Sequence, residues 1–196
     1  MKLCVFQGTF NPIHNAHLRV AEYVLERYDF DRILFIPAYN PPHKNAEPKM
    51  RKHRFKMVEL AIKNNPRFEI SDIEYQRKGK SYTYDTICEL YKNYKIDGKV
   101  NFIIGTDAFD KIETWYKFNE LKKLVKFIVF IRDEKFDKTR YNYLKDIDVD
   151  FECQTLEYLD ISSTELRKRI AEHKNIDLLI PQEEKEYIIK NELYKI

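Results

Sequence analysis

Six short apolar segments, separated by amphipathic stretches, constrain the fold of this chain more than any other feature of its sequence. The segments are rich in Ile, Val, Leu and Phe and are predicted to be β-strands: 2–6, 32–38, 68–75, 100–107, 126–132 and 149–156. Several are almost continuously apolar, which is typical of strands that are covered on both faces of a sheet. The sequence therefore predicts a sheet enclosed between two layers.

The stretches between these strands have the spacing of amphipathic helices, because their apolar residues recur every three or four positions. Helices are predicted at 16–28, 51–64, 81–94, 161–173 and 181–194. Ser81 or Thr83 is a candidate cap for the third helix, and Ser162 or Ser163 for the fourth. Strands that alternate with helices predict an α/β fold: a doubly wound, Rossmann-like parallel sheet with helices on both faces. Such a fold binds ligands beyond the carboxyl ends of its strands.

Length and composition favour a single domain without a nucleic-acid or membrane partner. At 196 residues the chain is expected to form one domain, 1–196, with a small helical C-terminal part from about residue 160. Its net charge of +3, from 35 basic and 32 acidic residues, is too small for overall attraction to nucleic acid. The three cysteines form no CxxC pair, which indicates buried thiols in a reducing compartment. No apolar run approaches the ~18 residues of a membrane span and no signal peptide is recognisable, so we expect a soluble, cytoplasmic protein.

Two histidines, His14 and His17, stand three residues apart where a loop leads into the first predicted helix. They could simply cap that helix. Zinc binding would need further ligands, and no His or Cys stands nearby at a suitable spacing; no nucleophile-elbow pattern supports a Ser/His/Asp group. Phosphate binding agrees better with the position, because a helix N-terminus presents backbone N–H groups and favours negative charge. Residues three apart share one helix face, so both imidazoles can point at one anion.

Two motifs connect these histidines with a known group of enzymes. The segment GTFNPIHNAHL, 8–18, resembles the GxFxPxHxGH pattern of the nucleotidyltransferase superfamily, and ISSTELR, 161–167, resembles its ISSTxxR element. Further segments are similar to the bacterial nicotinate-nucleotide adenylyltransferase family: PAYNPPHK, SYTYDT, IIGTDAF, WYKF and LIPQEEKEYI. The resemblance covers essentially the whole chain. Gln7 and Ala16 depart from it, since glycine is usual at both positions.

The resemblance implies an enzyme that joins nicotinate mononucleotide and ATP, giving nicotinate adenine dinucleotide (deamido-NAD) and pyrophosphate in NAD biosynthesis. The attacking phosphate oxygen is already ionised at neutral pH, so catalysis needs positioning and charge neutralisation rather than a general base. The implied catalytic residues are His14, His17 and Arg167. The implied ATP-binding residues are Gly8, Thr9, Phe10, His14, His17, Gly105, Asp107, Ile161, Ser162, Ser163 and Arg167. Mg²⁺ is the implied cofactor, held mainly by ATP phosphates and water, and no protein residue is assigned as a metal ligand.

A second half-site is implied for the nicotinate nucleotide. Its residues, by resemblance, are Asn40, His43, Lys44, Tyr82, Thr83, Trp115 and Tyr116. Trp115 would stack on the pyridine ring, although a partly buried core tryptophan is the alternative. Thr83 and Tyr82 would offer N–H groups to the nicotinate carboxylate, and Lys44 is equally compatible with a solvated surface.

Alternative functions remain open at this point. The acceptor of the adenylyl group could be the nicotinamide nucleotide or phosphopantetheine, and a non-catalytic nucleotide-binding protein could share the same fold. ATP and nicotinate mononucleotide are the implied partners. An oligomer is compatible with the sequence, which does not specify one.

Overall fold

The six predicted strands are all present and form one parallel sheet. The structure, a computed structural model, describes residues 1–43, 47–131, 137–156 and 161–195. Its strands β1 to β6 are Leu3–Gly8, Arg32–Pro37, Phe68–Ile70, Val100–Gly105, Val125–Ile131 and Asp150–Thr155. Neighbouring strands are parallel and lie in the order β3-β2-β1-β4-β5-β6. From the centre of the sheet, β1 to β3 follow one another toward one edge and β4 to β6 toward the other. Doubly wound sheets bind ligands in the crevice at this switch point, between β1 and β4.

Nine α-helices flank the strands in the described part of the chain. Helices α1 to α9 are Asn15–Arg27, Arg51–Ile62, Ile73–Arg77, Thr83–Asn93, Thr106–Phe109, Phe118–Leu124, Asn142–Asp146, Ser163–Ala171 and Gln182–Lys190. The predicted helices correspond to α1, α2, α4, α8 and α9, whose ends lie within a few residues of the predicted ones. None of the helices in the described ranges is both long and apolar enough to cross a bilayer.

Two apolar layers cover opposite faces of the sheet. Along β1, Cys4 packs into one layer while Leu3 and Val5 pack into the other, because successive strand side chains point to opposite faces. Helices α1, α2, α8 and α9 contribute to the first layer, and α4, α5, α6 and α7 to the second. Each fully buried Leu, Ile or Phe stabilises the fold by about 1.5–3 kcal/mol. The prediction of a doubly wound parallel sheet with helices on both faces is confirmed.

The predicted strand 68–75 is correct only at its start. β3 ends at Ile70, and the chain turns into α3. The Ser71 hydroxyl accepts the Ile73 N–H at 3.3 Å, which closes a short polar turn between the two elements. This turn carries the Glu74 side chain into the protein interior, where it is 1% exposed. A strand would have continued the alternation of apolar and polar residues along one edge of the sheet instead.

Of the two helix-cap predictions, one is confirmed and one is wrong. Ser162 caps α8, since its hydroxyl accepts the Glu165 N–H at 3.1 Å. At α4, Tyr82 occupies the N-cap position and makes no side-chain cap hydrogen bond. The hydroxyls of Ser81 and Thr83 do not cap α4 because both form hydrogen bonds with other segments.

Candidate active site

The loop between β1 and α1 is built on a close contact between a glycine and an aromatic ring. A Cβ atom at Gly8 would lie 2.8 Å from the ring of Phe10, so the ring can pack here only against a glycine. Phe10 has a left-handed backbone, with φ of 46°, and its ring is 3% exposed. The edge of that ring contacts His17, with ring centroids 5.3 Å apart, and Ile161 packs in the same apolar cluster. The packing of Phe10 against His17 and the apolar cluster therefore stabilises the loop.

The two histidines lie against each other at the start of α1. His14 is the N-cap residue, and its backbone N–H donates to Nδ1 of His17 at 3.2 Å. The ring centroids are 3.7 Å apart, and His14 is buried while His17 is half-buried. Because Nδ1 of His17 accepts a hydrogen bond, the neutral ring carries its proton on Nε2. His14 thus occupies the N-cap position of α1, in agreement with the capping interpretation. Its hydrogen bond also fixes His17 in the tautomer whose Nε2 is a donor.

The second motif packs directly on the loop of the first. The Ser163 hydroxyl donates to the Pro12 carbonyl at 2.8 Å, and Nη1 of Arg167 donates to the Asn11 carbonyl at 2.8 Å. Nη2 of Arg167 donates to the Thr164 hydroxyl at 3.2 Å. The N-terminus of α8 therefore lies beside the N-terminus of α1, and the two motifs form one site.

The C-terminal segment also forms hydrogen bonds with this loop and with the start of α1. The backbone N–H of Asn15 donates to the Leu179 carbonyl at 2.8 Å, and its side-chain amide donates to Leu178 at 2.9 Å. The Tyr194 hydroxyl donates to Oδ1 of Asn11 at 2.7 Å. Burial raises the pKa of Tyr194 well above its ordinary value, so this hydroxyl stays a neutral donor.

The carboxyl end of β4 lies next to this loop. β1 and β4 are parallel neighbours, with Val5 opposite Phe102, so both strands end at the same edge of the sheet. Apart from its two neighbours in the chain, no described residue has an atom within 4 Å of the position that a Cβ of Gly105 would take. Asp107 is exposed in the first turn of α5, which follows immediately. The crevice between β1 and β4 therefore has an open side at Gly105 with a carboxylate close by in the chain.

The residues predicted for the second half-site come from three segments, which also meet. Asn40, after β2, pairs with Ser81, before α4: the Ser81 hydroxyl accepts the Asn40 N–H at 2.9 Å, and the Asn40 carbonyl accepts the Ser81 N–H at 3.0 Å. The rings of Tyr82 and Tyr116 face each other with centroids 4.5 Å apart. The ammonium of Lys117 lies 5.4 Å from the centroid of the Tyr116 ring.

The start of α4 corrects one detail of the predicted carboxylate site. The Tyr82 N–H donates to the Lys80 carbonyl at 3.0 Å, so it is already used within the chain. Thr83 is the first residue of α4, and the first N–H groups of a helix have no partner within the helix. Of the two predicted N–H donors, Thr83 is the one whose position suits a ligand.

The remaining predicted residues of this half-site differ in exposure. Trp115 is half-buried, and its ring forms a T-shaped contact with Phe102 with centroids 6.0 Å apart. This partial burial agrees with the alternative of a partly buried core tryptophan. Tyr116 is 44% exposed and is the more accessible aromatic ring. His43 is exposed, and Lys44 lies outside the described residues.

Arg54 is a buried residue that contacts the loops of the site, and no sequence motif marked it as a site residue. Its Nη1 donates to the Thr9 carbonyl at 2.7 Å and its Nη2 to the Tyr39 carbonyl at 3.4 Å, so it joins the loops after β1 and β2. Burial lowers the pKa of the Arg54 guanidinium. Arg51 donates to the same Tyr39 carbonyl at 3.0 Å. One signal was present: Arg54 lies four residues before Val58, on the apolar stripe of α2.

Comparisons with known proteins agree with this geometry. Residues 5–169 match the family model described as cytidylyltransferase-like. A probable nicotinate-nucleotide adenylyltransferase of Caldicellulosiruptor saccharolyticus is 39% identical over the full length of both chains. One of Clostridium botulinum is 38% identical, and the match covers 97% of this chain and 98% of the relative.

Solved structures give the same result. The Plasmodium falciparum nicotinic acid mononucleotide adenylyltransferase complexed with NaAD superposes with a TM-score of 0.73 at 25% identity, over 98% of this chain and 96% of that one. A putative nicotinate-nucleotide adenylyltransferase of Vibrio parahaemolyticus, at 22% identity, shares the fold with a TM-score of 0.66 over 100% of this chain and 96% of that one. Fold and site together define a nucleotidyltransferase of the cytidylyltransferase-like class. Within that class, the chain belongs to the nicotinate-nucleotide adenylyltransferase family, which confirms the resemblance and the enzyme class that it implied.

Proposed function

We propose that this protein transfers the adenylyl group of ATP to nicotinate mononucleotide, which releases pyrophosphate and forms nicotinate adenine dinucleotide. The observation that carries the proposal is the packing of the two motifs: Ser163 and Arg167 are hydrogen-bonded to the loop that leads to His14 and His17. This packing gathers imidazole and guanidinium donors around the N-terminus of α1, where a polyanion is favoured. The relative from Plasmodium falciparum, described in complex with NaAD, supports the identity of the product.

The catalytic residues act on the phosphates of ATP. His14 and His17 donate hydrogen bonds that strengthen as negative charge shifts toward the leaving pyrophosphate. Arg167 keeps one N–H on the Asn11 carbonyl and directs other N–H groups of its planar fork to the triphosphate. No side chain needs to act as a base, because the attacking phosphate oxygen is already ionised.

The rest of ATP lies along the crevice between β1 and β4. The open side of Gly105 admits the adenosine, and Asp107 accepts a hydrogen bond from its ribose or base. Ser162 and the first N–H groups of α8 bind the phosphates next to Arg167. The loop and motif residues that complete this half-site are Gly8, Thr9, Phe10, Ile161 and Ser163.

The nicotinate nucleotide binds beside the start of α4. Trp115 and Tyr116 cover the pyridine ring, and the Thr83 N–H donates to the nicotinate carboxylate. The Asn40–Ser81 pair holds the loop after β2 against this point. The loop residues that close over the mononucleotide are Asn40, His43 and Lys44, with Tyr82 stacked on Tyr116.

A magnesium ion accompanies ATP in this proposal and reduces the repulsion between two polyanionic substrates. Among the described residues, no group of three or more His, Cys, Asp or Glu side chains is arranged to hold a metal. The proposal assigns no protein ligand to the ion, because Mg²⁺ usually takes its ligands from substrate phosphates and water.

Pyrophosphate release from ATP tests the proposal directly. The protein is mixed with ATP and Mg²⁺ and with nicotinate mononucleotide, phosphopantetheine or no acceptor, and the dinucleotide is quantified in parallel. We expect release only with nicotinate mononucleotide, with one dinucleotide formed for each pyrophosphate. Release with phosphopantetheine would assign a different acceptor, and ATP binding without release under all three conditions would indicate a non-catalytic protein.

A further inference from the structure

A buried carboxylate, that of Glu74, is hydrogen-bonded to Gln7 at the carboxyl end of β1, and no sequence motif indicated this contact. Glu74 is 1% exposed and accepts three hydrogen bonds: from Nε2 of Gln7, from the Thr86 hydroxyl at 2.7 Å and from the Tyr39 N–H at 3.0 Å. The guanidinium of Arg77 is 3.9 Å away. Buried carboxylates are costly unless such donors surround them, so each of these contacts contributes to a network that is sensitive to loss.

The direction of every hydrogen bond in this network is fixed by chemistry. A carboxylate only accepts, so Gln7 must turn its NH₂ toward Glu74 and its carbonyl oxygen away from it. That oxygen accepts from the Thr83 hydroxyl at 2.9 Å. Arg77 donates to the Thr86 hydroxyl at 2.9 Å, so that hydroxyl points its proton at acceptors: Glu74 at 2.7 Å and, farther away, the Tyr82 carbonyl at 3.2 Å. The Gln7 amide therefore has one orientation and two defined partners.

Gln7 occupies a special place in the fold. It precedes Gly8 at the carboxyl end of β1, yet its side chain reaches Glu74 of α3 and Thr83 at the first position of α4. Glu74 in turn holds Tyr39, at the start of the loop after β2. The amide thus links the strand that leads to the ATP loop with the segments proposed to bind the acceptor. A glycine, which is usual here in the family pattern, could make neither side-chain bond.

We propose that Gln7 is a positioning residue for the acceptor half-site, acting through Thr83. By accepting a hydrogen bond from the Thr83 hydroxyl and donating one to Glu74, it fixes the first turn of α4, so that the Thr83 N–H points at the nicotinate carboxylate. The inference rests on the acceptor site described under the proposed function. It predicts an effect on the acceptor and not on ATP, because the amide faces α3 and α4 rather than the histidines.

The test compares two glutamines that are bonded in similar ways. Gln7→Met removes the amide at nearly constant volume. Gln154→Met is the matched control, because Gln154 is also a strand residue whose amide bridges two side chains: it donates to the Tyr28 hydroxyl at 2.7 Å and accepts from Tyr23 at 3.1 Å. For Gln7→Met we expect KM for nicotinate mononucleotide to rise roughly three- to tenfold, the range for losing about one net hydrogen bond, with KM for ATP unchanged. Gln154→Met should leave both KM values unchanged.

A double-mutant cycle separates this inference from the function on which it rests. Thr83→Val alone should raise the acceptor KM, and adding Gln7→Met should then have little further effect if Gln7 acts through Thr83. If Thr83→Val has no effect on the acceptor KM, the hydroxyl bond to Gln7 does not position the Thr83 N–H and the inference is wrong. The acceptor site itself uses the backbone N–H, which valine keeps, and is tested separately by the acceptor KM of Trp115→Ala. If Thr83→Val has an effect and Gln7→Met has none, only the role of Gln7 is wrong. Equal rises in the KM of ATP and acceptor would also overturn it, since a general structural role gives that result. Gln7→Gly, which introduces no bulk, replaces Gln7→Met in the same design if the methionine variant fails to fold.

Discussion

Replacing Gly8 with alanine perturbs the phosphate loop at its tightest contact. The new Cβ would lie 2.8 Å from Cζ and 2.9 Å from Cε1 of the Phe10 ring, so the ring has to move. Phe10 is 3% exposed and contacts His17, which leaves no open space for that movement. Overpacking of this kind costs about 1–3 kcal/mol. For a chain of this length each kcal/mol lowers Tm by roughly 2–4 °C, so we expect a decrease of roughly 2–12 °C.

The same displacement should reach catalysis, because Phe10 supports the ring of His17. A shift of about 1 Å in a catalytic group can cost about 10²-fold in rate, and we expect a fall in kcat of that order. Gly105→Ala is the control: beyond its chain neighbours, none of the residues that the structure describes lies within 4 Å of its Cβ position, and its φ of −86° suits any residue. That variant should keep its Tm and instead raise KM for ATP, if the adenosine lies there. Thermal unfolding followed by circular dichroism, with pyrophosphate release, measures both. A Gly8→Ala protein with unchanged Tm and kcat would refute the reasoning.

Three further perturbations have distinct expected outcomes. His17→Ala should lower kcat by about 10²–10³-fold, the range for removing one transition-state donor, whereas His173→Asn, at an exposed position outside the site, should keep full turnover; near-normal turnover of a folded His17 variant would contradict the phosphate role. Trp115→Ala should cost about 1–3 kcal/mol, chiefly in KM for the mononucleotide, and an equal loss for ATP would make this tryptophan purely structural. Burial raises the pKa of Glu184 well above its ordinary value, and its carboxyl oxygens find no hydrogen-bond partner among the described residues. The free energy of unfolding should therefore decrease as pH rises above the ordinary carboxyl pKa. Urea titrations at pH 4 and pH 7 measure this decrease, and Glu184→Gln should remove it. If the variant shows the same change in unfolding free energy between the two pH values, the group does not titrate in this way.

The sheet was predictable from sequence because its inner strands, β1, β2, β4 and β5, are short, largely apolar and mostly buried. The segment 68–75 misled for a physical reason: its apolar and polar residues alternate, but Ser71 closes a turn and the polar Glu74 is the residue that becomes buried. Helices as short as α5, with four residues, span too little of the chain to show a helical period.

The site was predictable as a set of motifs but not as a set of contacts. Nothing in the sequence indicates that Arg167 donates to the carbonyl of Asn11, since backbone acceptors have no residue-specific pattern. The same holds for the Gln7 amide, which the sequence marks only as a departure from glycine, and for its bond to Glu74. Local patterns record which faces are apolar, whereas polar contacts between distant segments depend on the folded backbone.

Substrate choice tests the central claim, a nicotinate-specific adenylyl transfer, most directly. Nicotinate and nicotinamide nucleotides differ in one group, a carboxylate with acceptors only against a carboxamide that carries an NH₂ donor. If the N–H groups at the start of α4 face that group, the amide sets donor against donor and leaves a buried group unpaired. Sites of this kind can discriminate by about 10⁴-fold, and allowing for one water-mediated contact we expect kcat/KM for nicotinate mononucleotide to be at least about 10²-fold higher. The measurement is pyrophosphate release from both nucleotides under identical ATP and Mg²⁺; equal values of kcat/KM would contradict the acceptor assignment.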